Sequence, residues 1–305
     1  MYRRVLSACA LAVGLAAFAL APAMAAAPAA DCPEGGKVRF GVEPYESSQN
    51  ILPLFSSIAT AIGEKIGCPV DLYIATSYNA EIEAMRSKKL EVAEFGPLGY
   101  IFAAKVAEAE AFAQYADSAD KPSTYFASIV TWQGSGITDL KAVSGKSFAY
   151  SDPASTSGHL FPAYALRKNG IDPDTGIKPL YAGTHTAAYE ALRNHKVDVG
   201  ELNSIQIDSA KRANEYVETD YTTLWRSKPI PNDPVTVRAS LPPALKKRIA
   251  DAFLTLDFSK LPADQLKSLP AKNAARFIPQ SDAAYDEIRD LAKTMNYHVE
   301  DLDKK

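Results

Sequence analysis

The chain has 305 residues, 47% of them hydrophobic, with 33 Lys and Arg against 36 Asp and Glu and a formal net charge of -3 at pH 7. That length suits two domains of ordinary size, and the near balance of charge argues against the basic stripe with which nucleic-acid binders neutralise phosphates. Lys88-Lys89 and Lys246-Lys247-Arg248 fall on helix-like periodicities and read as solvated faces, while P-loop, HExxH and GxSxG patterns are absent.

In chain order, Arg3 and Arg4 precede an apolar run from Val5 to Ala23, and Ala23-Met24-Ala25 fits a signal-peptidase site. Residues 1–25 are therefore expected to be a signal peptide, with the mature chain starting near Ala26. Cys9 precedes the apolar core rather than following it, which argues against a lipobox, and no second apolar stretch is long enough to span a membrane. The expected product is exported to the periplasm.

Removing that leader leaves Cys32 and Cys68. In an oxidising compartment an even count favours a disulfide, and each cysteine stands just ahead of a strand-like segment, so adjacent parallel strands bring the pair together. The 36-residue loop would contribute roughly 3 to 4 kcal/mol in the chain-entropy model. A metal or redox pair would call for a CxxC spacing or nearby His, and neither is present.

The periodicities predict strand 37–42, helix 50–66, strand 70–76, helix 79–88, strand 91–95, helix 97–107 and strand 111–115. A β-rich segment follows over 125–132. A second alternation then runs through strand 147–150, helix 158–169, strand 177–181, helix 185–194 and strand 197–200. Residues 225–239 are extended and proline-rich, with 234–238 able to form a return strand; the rest reads as helical. The expected organisation is lobe 1 from 26–130 plus 234–305 and lobe 2 from 131–233, with crossings near 125–135 and 225–239 forming a two-stranded hinge.

Two α/β lobes joined in this way place a ligand between them, at the carboxyl ends of strands and beside helix N-termini. The most informative run is Asp152-Pro153-Ala154-Ser155-Thr156-Ser157-Gly158-His159, between a predicted strand and a predicted helix. Amides and hydroxyls there can converge on a tetrahedral anion, helped by the helix dipole and without any Lys or Arg. The same residue types also serve as an ordinary N-cap and turn. Gly41 to Glu46, Phe95 to Tyr100, Thr184-His185 and Glu201 to Ser204 likewise follow predicted strands.

Taken together, Gly41 to Pro44, Ile82 to Ala84, Val92 to Tyr100, Ser155 to Gly158, Gly183 to His185 and Val197 to Gly200 resemble the phosphonate, phosphite and phosphate-type substrate-binding proteins of ABC transporters. The resemblance implies an α/β type II periplasmic-binding-protein fold with two doubly wound lobes. It also implies no catalytic activity, no cofactor or metal, a small phosphorus oxyanion as ligand, an inner-membrane ABC permease as partner, and a monomer. Carried over position by position, Ser155, Thr156, Ser157 and His185 would hold the oxyanion from lobe 2, and Tyr45 and Tyr100 from lobe 1. His185 can donate whether neutral or protonated. Glu201 departs from the family pattern. It either reads a ligand proton or amine, as an aminoalkylphosphonate would offer, or points to the hinge and bonds backbone amides. Two alternative readings are a ligand-binding subunit that signals to a membrane histidine kinase, and a periplasmic enzyme with Ser155 or His185 as nucleophile.

Overall fold

The computed structural model describes residues 32–304 apart from Glu34, Lys272 and Asn273. The expected signal peptide lies outside the described residues. Strand β1 (Val38–Val42) leads to α1 (Ser48–Ile66), β2 (Val70–Ile74), α2 (Tyr78–Arg86), β3 (Val92–Glu94), α3 (Pro97–Ala107) and β4 (Ala109–Tyr115). The chain then passes through β5 (Thr124–Tyr125) into β6 (Ala127–Trp132), β7 (Ser147–Tyr150), α4 (Phe161–Lys168), β8 (Lys178–Tyr181), α5 (His185–Arg193), β9 (Val199–Asn203), α6 (Ser204–Arg212) and β10 (Tyr221–Arg226). It returns through β11 (Ile230–Pro231) to β12 (Pro234–Arg238), α7 (Pro243–Leu254), β13 (Phe277–Pro279) and α8 (Asp286–Met295).

Two sheets result. One is six-stranded in the order β13-β4-β12-β3-β1-β2 and the other five-stranded in the order β10-β6-β9-β7-β8. β1 pairs in parallel with β2 and β3, and β7 with β8 and β9, as strand-helix-strand crossovers require. β12 enters the first sheet antiparallel, between β3 and β4. The short antiparallel ladder of β5 and β11, with Tyr125 opposite Ile230, is where the chain crosses between the lobes. β6 belongs wholly to the second sheet, so the outward crossing falls at 124–127, just before the expected lobe boundary at 131.

Local chemistry explains the elements that frame the cleft. On α1, Ile51, Leu54, Phe55, Ile58, Ile62 and Ile66 recur at three- and four-residue spacing and are buried against the sheet, where Phe40 meets the edges of Phe55 and Phe253. Gly67 ends this helix at φ 67°, a left-handed position that glycine occupies at little cost. Ser77, Thr184 and Asn203 cap α2, α5 and α6 through their side chains, so three helix N-termini open towards the cleft with fixed geometry. The Cys32–Cys68 disulfide, with Cα atoms 5.9 Å apart, ties the segment before β1 to the turn before β2, beside the Val38–Val70 register pair.

Two elements differ from the sequence expectation. The stretch after 238 is not wholly helical: Phe277–Pro279 adds an edge strand to β4, with Phe277 packed on Tyr115, Phe253 and Phe258. Three residues are too few for a period to emerge from sequence. α6 was also missed, because Ser204–Arg212 buries only Gln206 and Ala210 and so lacks an apolar stripe.

Candidate functional site

The principal cleft between the lobes is lined on the lobe 2 side by Ser155, Thr156, Ser157, His185, Asn203, Ile205 and Gln206. The run after β7 forms a single wide helical turn, Thr156–Leu160, that continues into α4. Ser155 Oγ accepts from the Gly158 amide at 3.0 Å and lies 3.3 Å from His185 Nε2. Asn203 Nδ2 donates to Ser157 Oγ at 3.3 Å, and Tyr125 lines the cavity with Thr156 and Ser157. A Cβ built on Gly158 would lie 1.8 Å from Ser151 Oγ and 2.9 Å from His185 Cε1, so only glycine lets the turn pack against Ser151 and the imidazole.

His185 opens α5, where its amide donates to the Tyr45 carbonyl across the cleft at 3.0 Å. Its Nδ1 donates to Glu201 Oε1 at 2.6 Å. Burial by itself would lower the His185 pKa, but the Glu201 charge and hydrogen bond, aided by Glu46 and Asp233, outweigh it and raise the value.

The lobe 1 side of the cavity is acidic. Glu43 and Glu46 follow β1, Tyr78 opens α2, Gly96 precedes α3, and Tyr125 and Asp233 come from the two crossings. Burial pushes the Glu43 carboxyl well above the usual carboxylate range, and Asp233 and Glu81 add to the push, while the Gly96 amide opposes it. Burial raises Asp233 to about 7, with His185 pulling the other way. Behind them Glu81 and Glu94 are likewise raised well above the ordinary range, both first by burial, then Glu81 by Glu94 and Asp233 and Glu94 by Asp233, against the bond from Tyr115. Tyr78 Oη, Glu43 Oε2 and Gln206 Oε1 are buried lining atoms without a hydrogen-bond partner, and a cavity of this kind binds a ligand that supplies those partners. No Lys or Arg lines it among the described residues.

Several bonds join the lobes around this cavity. The Leu98 amide at the start of α3 donates to Thr156 Oγ1 at 2.8 Å, and the Tyr78 amide to Asp152 Oδ2 at 3.4 Å. Arg212 Nη2 donates to the Lys267 carbonyl at 2.6 Å. This is the closed arrangement of two lobes.

Of the residues singled out from sequence, Tyr45, Ser155, Thr156, Ser157 and His185 come together at the cavity. Tyr100 does not: its hydroxyl donates to Asp282 Oδ1 at 2.8 Å and its ring meets Tyr285, on the far side of α3. The fourth residue of a buried helix can face either way, and the sequence does not say which. Glu201 is fully buried behind His185, not on the cavity wall, and bonds the imidazole rather than backbone amides. Sequence reasoning missed Tyr78, Tyr125, Asp233 and Gln206, and within the candidate run Gly41 to Glu46 it singled out Tyr45 but not Glu43 or Glu46. Tyr78 was findable as a strand-to-helix junction residue, whereas Tyr125 and Asp233 reach the site only because β5 pairs with β11.

A two-lobed α/β protein that closes on a cavity rich in hydroxyls and helix N-termini belongs to the class of periplasmic solute-binding proteins. The family model described as "ABC transporter, phosphonate, periplasmic substrate-binding protein" matches residues 40–285, and the chain belongs to that family. It is 30% identical to the phosphonates-binding periplasmic protein of Escherichia coli over 84% of this chain and 75% of the relative. It is 22% identical to the phosphate-import protein PhnD of Mycolicibacterium smegmatis over 81% of this chain and 82% of the relative. Among solved structures, a binding-protein component of an ABC phosphonate transporter from Pseudomonas aeruginosa superposes with a TM-score of 0.75 at 26% identity, covering 85% of this chain and 86% of that one. PhnD1 from Prochlorococcus marinus in complex with methylphosphonate gives a TM-score of 0.75 at 20% identity, covering 86% and 98%. The type II periplasmic-binding-protein fold expected from sequence is thus the fold observed, and the family's role is substrate binding for transport, not catalysis.

Proposed function

We propose that the cavity captures a phosphonate carrying an amine, such as 2-aminoethylphosphonate, and that the closed protein, as a monomer in the periplasm, hands it to an ABC permease of the inner membrane. The phosphonate oxygens take hydrogen bonds from the turn at Ser155 to Ser157, Tyr78, Tyr125 and His185. The ammonium group faces Asp233, Glu43 and Glu46. The division of the cavity carries this reading: hydroxyls and a helix N-terminus on the lobe 2 wall, buried acids on the lobe 1 wall, and no lysine or arginine on either among the described residues. A dianion alone would meet the acids unfavourably, whereas a zwitterion matches both walls. Closure follows from the same contacts, because a ligand bound by both lobes favours the state in which both reach it. Calorimetric titration of the ligand-free mature protein with 2-aminoethylphosphonate, ethylphosphonate, phosphate and sulfate tests the reading. Micromolar or tighter binding of the aminophosphonate, at least tenfold tighter than ethylphosphonate, is expected. Equal binding of the two removes the ammonium assignment, and no binding of any phosphorus oxyanion removes the site.

A further inference from the structure

Glu201 is fully buried on β9, outside the cavity wall, yet its Oε1 lies 2.6 Å from His185 Nδ1. We propose that Glu201 is a positioning residue that keeps His185 as the imidazolium, with Nε2–H aimed at the bound anion, and so supplies a full positive charge to a wall that has no lysine or arginine among the described residues.

Three observations support this. First, the bond fixes the ring. With Nδ1–H committed to Glu201, Nε2 faces the cavity beside Ser155 Oγ, 3.3 Å away, and the Gly158 backbone packs so closely that a Cβ there would meet the imidazole. Second, the surroundings are uniformly acidic. The charged groups facing His185 are Glu201 from β9, Glu46 from the segment after β1, Asp233 from the returning crossing and Asp152 from the loop after β7, and each favours the charged ring. Glu201 first, then Glu46 and Asp233, outweigh the burial that opposes the charge, so the shift is upward from the ordinary value near 6.5. Third, a bond from a charged donor to a phosphonate oxygen is about twice as strong as one from a neutral imidazole.

The same geometry bears on chemistry at Ser155. Ser155, His185 and Glu201 are connected in the order of a nucleophilic triad. An imidazolium has no lone pair on Nε2 with which to take the hydroxyl proton, so Ser155 acts as a hydrogen-bonding group and not as a nucleophile.

The binding arm of the test rests on the phosphonate reading above, and the spectroscopic arm does not. In the ligand-free wild type, nitrogen-15 NMR of the imidazoles is to be followed from pH 5.5 to 8.5; the chain has 4 histidines, so single substitutions assign the signals. His185 is expected to carry protons on both nitrogens at pH 7.5, and in Glu201→Gln to be neutral there. The affinity of Glu201→Gln for 2-aminoethylphosphonate, expressed as a ratio to wild type at each pH, should be about tenfold weaker at pH 8, and the gap should narrow as the pH falls towards 5.5 and the ring of the variant takes up its proton from solution. A neutral His185 in the wild type at pH 7.5 overturns the proposal. So does a loss of the same size at both pH values, which would mark Glu201 as a packing residue only. Should the variant fail to fold, the wild-type spectrum alone decides. A charged His185 in a protein that binds no phosphonate would leave this inference standing and defeat the functional one.

Discussion

The two walls of the cavity solve opposite problems. The lobe 2 wall is a helical turn whose hydroxyls and amides belong to one short stretch of chain, Ser155 to Gly158, and its hydroxyls each have a partner: Ser155 with Gly158 inside the turn, Ser157 with Asn203 of the same lobe, and Thr156 with Leu98 of lobe 1. The lobe 1 wall gathers Glu43, Asp233 and, behind them, Glu81 and Glu94 from four separate elements, and leaves carboxylate oxygens of Glu43, Glu81 and Glu94 without partners. The first wall is preorganised for an anion. The second is held at a cost in the absence of ligand, because buried acids without partners must keep protons or tolerate desolvated charge. A ligand that brings both an oxyanion and a cation relieves the second wall while filling the first.

The most severe way to break the first wall is Gly158→Ala. A methyl group at 1.8 Å from Ser151 Oγ must displace Ser151, the turn or His185, so phosphonate affinity should fall by two orders of magnitude or more, on the order of 3 kcal/mol. Calorimetry on the folded variant checks this, and retention of wild-type affinity would mean the turn is plastic.

Asp233→Asn addresses the second wall. Affinity for 2-aminoethylphosphonate should drop by roughly 10- to 100-fold as an ion pair is lost, while that for methylphosphonate should stay level or rise. The variant also reads out the strain of the acids. Folded Asp233 keeps its proton up to about pH 7, whereas in the unfolded chain an Asp ionises near 3.9. The folded state therefore binds the extra proton, and the stability associated with this group is full below about pH 4 and is lost as pH rises through about 7. Ligand-free Asp233→Asn should melt higher than wild type at pH 8, by about 2 to 4 °C for each kcal/mol recovered, and not at pH 4. An unchanged difference between those pH values would show that Asp233 is not a proton holder.

Thr156→Ala sharpens the boundary between the walls. Its hydroxyl accepts from Leu98 on lobe 1 and can still donate its own proton to a ligand oxygen. The expected loss is about 1 to 3 kcal/mol of binding, with small-angle scattering of the liganded variant shifted towards the open form. A loss of affinity with unaltered closure would confine Thr156 to the ligand. The smallest effect belongs to Tyr100→Phe, which removes only the bond to Asp282; its binding should be within twofold of wild type by calorimetry, and a larger loss would return Tyr100 to the site.

Sequence alone determined the alternation of strands and helices, the return strand at 234–238, the pairing of Cys32 with Cys68, and the placing of the hydroxyl-rich turn at a strand-to-helix junction, because each rests on neighbours within a few residues or on a period that burial imposes. Ser155, Thr156 and Ser157 were legible for that reason: one strand end and one helix start place all three. The acidic wall was not. Glu43, Glu81, Glu94 and Asp233 look in sequence like ordinary surface carboxylates scattered over 190 residues, and only the insertion of β12 beside β3 and the pairing of β5 with β11 bring them into one buried space. The facing of Tyr100 and the burial of Glu201 behind His185 were likewise decided by packing, since a side chain's direction on a fully buried helix or strand depends on which neighbour it meets and not on its own residue type.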